Sequence, residues 1–309
     1  MSILQTPMDG TDAQTAPVAS PPMYPTLPLS AFWRTCAIAA CVLIVYAPVL
    51  SHLVSQWWRE PDYSHGFLVP LFSAYVLWRR ADVLRKVALK PSWMGMAILG
   101  ASLSVLFVGS LGAELFLQRI SLLGVLVGLI VWLWGWAMVR AAAFPLALLL
   151  LMIPLPGVIY FQMVFPLQIL ASRLATWVLH AIDLFPVLRE GNVLVLPSTR
   201  LEVAEACSGL RSLLSLLTIA AMYAYLAEKN NVIRWILCLL VVPIAVVGNA
   251  GRVVFAAISA ELAGASTVEG WSHFLSGLFL FFFSTLLLLL CHSLITETLR
   301  RVASLRRHA

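Results

Sequence analysis

The sequence predicts an all-α polytopic membrane protein of about eight transmembrane helices, with an interfacial helix and a short hairpin at its outer face. Three observations carry this prediction. Of 309 residues, 61% are hydrophobic and only 11% charged, with a mean hydropathy of +0.93; a soluble domain carries about 25% charged residues. Apolar runs near the length of about 20 residues that crosses a bilayer recur along the chain. Basic residues gather between alternate runs, as they do on the cytoplasmic side of membrane proteins. An ordinary soluble enzyme and a disordered or fibrous chain are excluded. The net charge of +6 would suggest nucleic acid in a soluble protein. Here its distribution points to membrane orientation, and no nucleic-acid partner is expected.

Residues 1–31 are rich in Pro, Ser and Thr and read as a flexible cytoplasmic tail. Apolar runs follow at about 32–50, 66–79 (short), 92–112, 120–139, 142–159, 209–227, 232–250 and 274–296. Arg79, Arg80, Arg85, Lys86 and Lys90, then Arg140, then Lys229 and Arg234, mark inner loops. With eight spans, residues 32–296 form the membrane domain, 297–309 a basic cytoplasmic tail, and every basic cluster falls inside. Residues 160–186 are apolar enough to cross but carry Gln162, Gln168, Arg173, His180 and Asp183, much of which is expected to share one helical face. A crossing there would move the later basic clusters outside, so the segment reads as an interfacial or re-entrant helix on the outer side. Residues 187–206 alternate apolar and polar around Glu190-Gly191-Asn192 and Pro197-Ser198, the pattern of a short hairpin.

No HExxH, Walker-type loop or GxSxG is present, and the five cysteines show no CxxC spacing, so neither a metal nor another cofactor is expected. The chemistry-bearing residues stand at the outer ends of the last three spans. Cys207, in Glu205-Ala206-Cys207-Ser208-Gly209, precedes an apolar helix whose free N–H groups and dipole favour a thiolate, and Arg211 one turn on favours it again. The plain alternative is a small buried hydrophobe, which is how Cys36, Cys41, Cys238 and Cys291 read inside their apolar runs. Arg252 follows Gly248-Asn249-Ala250-Gly251 at a depth where an arginine is costly unless it faces a partner or a wet cavity; the alternative is a snorkelling anchor. His273 lies in Trp271-Ser272-His273-Phe274-Leu275-Ser276-Gly277 and exchanges protons near neutral pH; the alternative is an interfacial histidine beside a Trp belt. Together, a thiol, an imidazole and a guanidinium at one membrane face supply the nucleophile, the proton carrier and the oxyanion donor of acyl transfer. His65, in Asp62-Tyr63-Ser64-His65 on the first outer loop, is expected to shape a substrate entrance; a helix cap is the alternative.

Glu205-Ala-Cys207-Ser-Gly-Leu-Arg211-Ser212, Asn249-Ala-Gly-Arg252 and His273-xxx-Gly277 resemble the three signature blocks of the exosortase/archaeosortase family. Asp62-Tyr-Ser-His65-Gly-Phe-Leu-Val-Pro70, Ile153-Pro-Leu-Pro-Gly157 and Leu188-Arg-Glu-Gly-Asn192 resemble its other blocks, so the likeness runs from about residue 32 to 296. The resemblance implies a cysteine protease or transpeptidase of the bacterial inner membrane, with its active site at the periplasmic face. Its partners would be membrane-anchored proteins with a C-terminal sorting signal (a Pro-Glu-Pro motif, a transmembrane helix and a basic tail), linked to exopolysaccharide or surface-protein export. Release would go to water, an amine or a lipid acceptor. It implies Cys207, Arg252 and His273 as catalytic residues and Arg211, Ser208, Asn249, His65 and Gly277 as substrate-binding ones. A transporter or exopolysaccharide export component is the other class with such helix ends. It requires polar residues through the bilayer midplane, and the last three spans carry almost no charge there.

Overall fold

The computed structural model describes residues 29–203, 209–264 and 271–308, and the chain divides into two compact units, Met1–Ala47 and Pro48–Ala309. In the first unit, residues 29–47 form the opening part of helix α1 (Leu29–Arg59). The second unit opens at Pro48, inside α1, where the missing N–H removes one main-chain hydrogen bond.

Next comes a 3-10 turn, Pro61–Phe67, running directly into α2 (Leu68–Arg79). This turn sits on the end of α1 because Gly66 presents no side chain. A Cβ there would stand 2.6 Å from Cε2 of Trp57, whose indole N–H donates to the Met152 carbonyl at 2.9 Å. After α3 (Ala81–Arg85), helices α4 (Met94–Leu111) and α5 (Leu115–Leu133) pair antiparallel along a seam of small residues: Gly95 against Gly128, Ser102 against Gly124, Gly109 against Leu117. Close backbone approach of this kind is how apolar helices associate where no hydrophobic drive separates them from lipid.

The all-α polytopic class holds: among the described residues, seven helices are long and apolar enough to cross a membrane. Three details differ from the sequence expectation. First, the run at 142–159 is not one helix. After the short α6 (Trp136–Ala141), it breaks into α7 (Ala143–Leu148) and a 3-10 turn (Leu149–Met152), then an extended Ile153-Pro154-Leu155-Pro156 before the next helix starts at Gly157. Two prolines without N–H, each forcing its predecessor out of helical geometry, explain the break; Ile153 sits at φ −90, ψ 118. Second, α5 ends at Leu133 rather than near 139, because Gly135 turns the chain with φ +88. Third, helix α8 (Gly157–Ile182) is one of the seven long apolar helices, and Gln168 lies on its buried face rather than with the exposed Gln162, Arg173, His180 and Asp183.

The C-terminal half of α8 packs Ala171, Ala175 and Leu179 against a small sheet and the end of α10. The predicted hairpin is there, with a third strand: β1 (Leu188–Glu190), β2 (Val193–Val195) and β3 (Arg200–Glu202), antiparallel, with Leu188 opposite Val195 and Val193 opposite Glu202. Leu194 of this sheet is fully buried against that helix pair. The last helices are α9 (Leu210–Ala227), α10 (Asn231–Ala263) and α11 (Trp271–His308). The expected basic tail, 297–309, continues α11 as helix to His308. Leu216, Ala220 and Ala224 of α9 bury against Ile233, Leu237, Val241 and Ile244 of α10 and Leu288 of α11. Alongside α9, α10 therefore runs antiparallel as far as Asn249, and its remaining turns extend past the start of α9.

Candidate functional site

The start of α9 is fixed by a backbone requirement. Gly209 caps the helix with φ +83, a left-handed conformation that costs other residues about 1–2 kcal/mol. A Cβ on Gly209 would also stand 2.9 Å from Cβ and Cγ of Asn249. The cap is thus pressed directly onto the buried Asn249 of α10, three residues before Arg252. Cys207 and Ser208 immediately precede Gly209 in sequence and lie outside the described residues.

Three residues beyond Asn249 along α10, Arg252 is buried at 8% exposure. Its guanidinium lies across Gly277 of α11, where a Cβ would come within 3.2 Å of Nη2 and 3.3 Å of Cζ. Gly248 similarly faces Ser284, whose Oγ would be 2.7 Å from a Cβ. His273 stands in the first turn of α11, one turn before Gly277; its side chain lies outside the description. Three segments far apart in sequence therefore meet through two glycines, Gly209 on Asn249 and Gly277 on Arg252. Beside them, Gly251, Phe255, Leu275, Ser276 and Phe279 line an apolar cavity of about 520 Å³ between α10 and α11.

The Asp62–His65 segment also reaches this locality. Asp62 forms an ion pair with Nε of Arg211 in the first turn of α9. Its second oxygen accepts a hydrogen bond from the Tyr160 hydroxyl of α8 at 2.8 Å. One carboxylate thus ties together the 3-10 turn, α8 and α9. His65 is buried, with Nε2 3.1 Å from the Leu151 carbonyl and Nδ1 3.4 Å from Oγ of Ser215. A carbonyl only accepts, so Nε2 carries the proton and Nδ1 receives the serine hydroxyl. Burial pulls the imidazole below its usual range against the opposing pull of the Leu151 and Asp62 hydrogen bonds. The neighbouring Tyr63 phenol is pushed up to about 12, first by burial and then by the Asp62 and Glu60 carboxylates.

Two polar groups escaped the sequence reading. Arg119, at 3% exposure, lies one turn inside α5; an arginine adjoining an apolar run was the available signal. At the far end of α9, Tyr223 donates to Nδ1 of His292 at 2.7 Å, and Nε2 of His292 donates to Glu228 at 3.0 Å. That hydrogen bond holds the Glu228 carboxyl below its usual range. About 27 Å of helix separates this triad from Gly209, so it belongs to the opposite end.

Fold and site define a polytopic helical membrane protein whose polar residues converge at the ends of its last three long helices. A family model described as transmembrane exosortase matches residues 57–290, and the chain belongs to that family. No curated protein and no solved structure matches the chain.

Proposed function

We propose that the protein is a membrane cysteine protease or transpeptidase that cleaves C-terminal sorting signals carrying a Pro-Glu-Pro motif, a transmembrane helix and a basic tail. One observation carries the reading: Gly209 on Asn249 and Gly277 on Arg252 draw the segments that bear Cys207, Arg252 and His273 into one locality. Cys207, as thiolate, attacks the scissile carbonyl carbon. Arg252 donates to the oxygen that gains the charge. His273 delivers a proton to the departing amine, leaving a thioester on Cys207. Water or an acceptor amine, deprotonated by His273, then attacks the thioester and restores the thiolate.

Further support comes from the apolar cavity between α10 and α11, which suits the apolar helix of a sorting signal arriving through lipid. The substrate's basic tail stays cytoplasmic, so its motif lies at the periplasmic face, where the reading puts the active site. Helix α8 remains on that side: it starts beside Asp62 and its second half packs on the part of α10 beyond the start of α9. The test is the C-terminal mass of a co-expressed Pro-Glu-Pro tailed protein. Wild type trims the tail, and Cys207→Ala leaves it intact. Trimming at wild-type rate in Cys207→Ala overturns the mechanism.

A further inference from the structure

Beside Asp62 lies a second cavity of about 520 Å³, bounded by the end of α1, the turn between α4 and α5, and the start of α8. Arg119 forms part of its wall. The residue is 3% exposed, its Nε is buried without a hydrogen-bond partner, and no ion pair to it is found among the described residues. The carboxylates of the cavity are engaged elsewhere. Glu60 accepts from Nε2 of Gln56 at 2.8 Å, and Glu114 caps α5 by accepting from the Leu117 N–H at 2.6 Å. Asp62 is taken by Arg211 and Tyr160. The Oε1 of Gln56 is buried without a donor. The Glu60 and Glu114 carboxylates act on Arg119 only from beyond ion-pair distance; a buried cation with no anion in contact is costly and calls for one, and an orphaned acceptor calls for an N–H.

The remaining walls narrow the ligand. Pro154, Leu155 and Pro156 form one side, and Tyr63, Phe116 and Tyr160 supply rings. Aromatic-lined grooves of this kind take extended, prolyl peptides. Arg211, held by the cavity residue Asp62, follows Cys207 by four residues, which bounds their separation at about 14 Å. A stretched peptide covers that distance in a few residues.

We infer that this cavity is the recognition subsite for the sorting signal, in which Arg119 binds the acidic side chain of a proline-flanked, extended peptide. The inference rests on the sorting reading above and adds to it a specificity-determining residue. Gln56 accepts a main-chain N–H of the same peptide, and the rings of Tyr63, Phe116 and Tyr160 receive the prolines.

The test uses the full chain as its Cys207→Ala variant in detergent micelles, so that bound peptide is not consumed. Fluorescence anisotropy compares labelled peptides with Pro-Glu-Pro and Pro-Gln-Pro cores. The Glu peptide binds at least tenfold tighter, the expected scale for a desolvated charge pair. Arg119→Gln brings the Glu peptide down to the level of the Gln peptide and leaves the latter unchanged. Gly157→Phe, placed where a Cβ meets nothing within 4 Å, blocks the cavity and weakens both peptides; it serves as the second arm if Arg119→Gln does not fold. A Glu preference that survives either change overturns the subsite. Arg119-dependent binding of phosphatidylglycerol vesicles with no peptide preference also overturns it, in favour of a lipid headgroup. If processing still depends on Cys207 while the preference ignores Arg119, the subsite fails and the sorting reading stands.

Discussion

Gly209→Ala tests whether the start of α9 is pressed onto α10 as described. Two costs are independent. Alanine at φ +83 gives up about 1–2 kcal/mol relative to glycine. Its Cβ also arrives 2.9 Å from two carbons of Asn249, well inside the 3.5–4.0 Å of an ordinary carbon contact. Overpacking of that order costs about 1–3 kcal/mol, so the total is about 2–5 kcal/mol. Denaturation in mixed micelles, read by tryptophan fluorescence, measures it. A double-mutant cycle with Asn249→Gly separates the two shares, because removing the Asn249 side chain relieves the clash and leaves the dihedral cost. The expected coupling is about 1–3 kcal/mol, with about 1–2 kcal/mol unrecovered. A Gly209→Ala protein within about 0.5 kcal/mol of wild type, or a cycle that is strictly additive, refutes the packing of the α9 cap onto Asn249 of α10.

Arg252→Lys loses about 10²–10³ in processing rate, because an ammonium cannot reproduce the guanidinium fork laid across Gly277; an undiminished rate in the tail-trimming assay reduces Arg252 to an anchor. The His65 imidazole, held below its usual value of about 6.5, gives stability that is complete above that pH and declines as pH falls below it, since the unfolded chain protonates first. Melting from pH 8 to pH 5 therefore shows a decline in wild type that His65→Gln lacks; equal profiles sink the assignment. A membrane-impermeant maleimide applied to intact spheroplasts labels Cys207 and no other cysteine, and labelling only after the cytoplasmic face is opened inverts the proposed orientation.

Apolar length made α1, α4, α5, α9, α10 and α11 legible, because each needs little more than a hydrophobic run of bilayer length. The run at 142–159 misled for a local reason: composition stays apolar through Pro154 and Pro156 while the backbone loses its donors. Helix α8 is ambiguous for a tertiary reason, since only its packing on the end of α10 and on β2 distinguishes an outer helix from a span. The blocks holding Cys207, Arg252 and His273 are legible as motifs, but the approach of the starts of α9 and α11 to Asn249 and Arg252 depends on Cβ atoms that Gly209 and Gly277 do not have. Arg119 was hidden by a boundary, because the run was read from 120 whereas α5 starts at Leu115, capped by Glu114. His292 looked solitary because its partners Tyr223 and Glu228 are 69 and 64 residues away.

The Asp62–Arg211 pair changes how a thiolate at Cys207 would be stabilised. Read from sequence, Arg211 was a positive charge one turn from the thiol. Bound to Asp62, it becomes one half of a neutral pair, and a dipole's field falls away faster with distance than that of a lone charge. In the proposed mechanism an anionic sulfur would then depend mainly on the free N–H groups at the start of α9, equivalent to about half a positive charge. The pair's own work is mechanical. With Tyr160 on its second oxygen, Asp62 fixes the first turn of α9 to the wall of the Arg119 cavity, so the proposed recognition and the proposed attack are referred to one rigid point. On the proposed reading, a peptide seated in that cavity would meet Cys207 at a defined separation, which is how positioning contributes to rate.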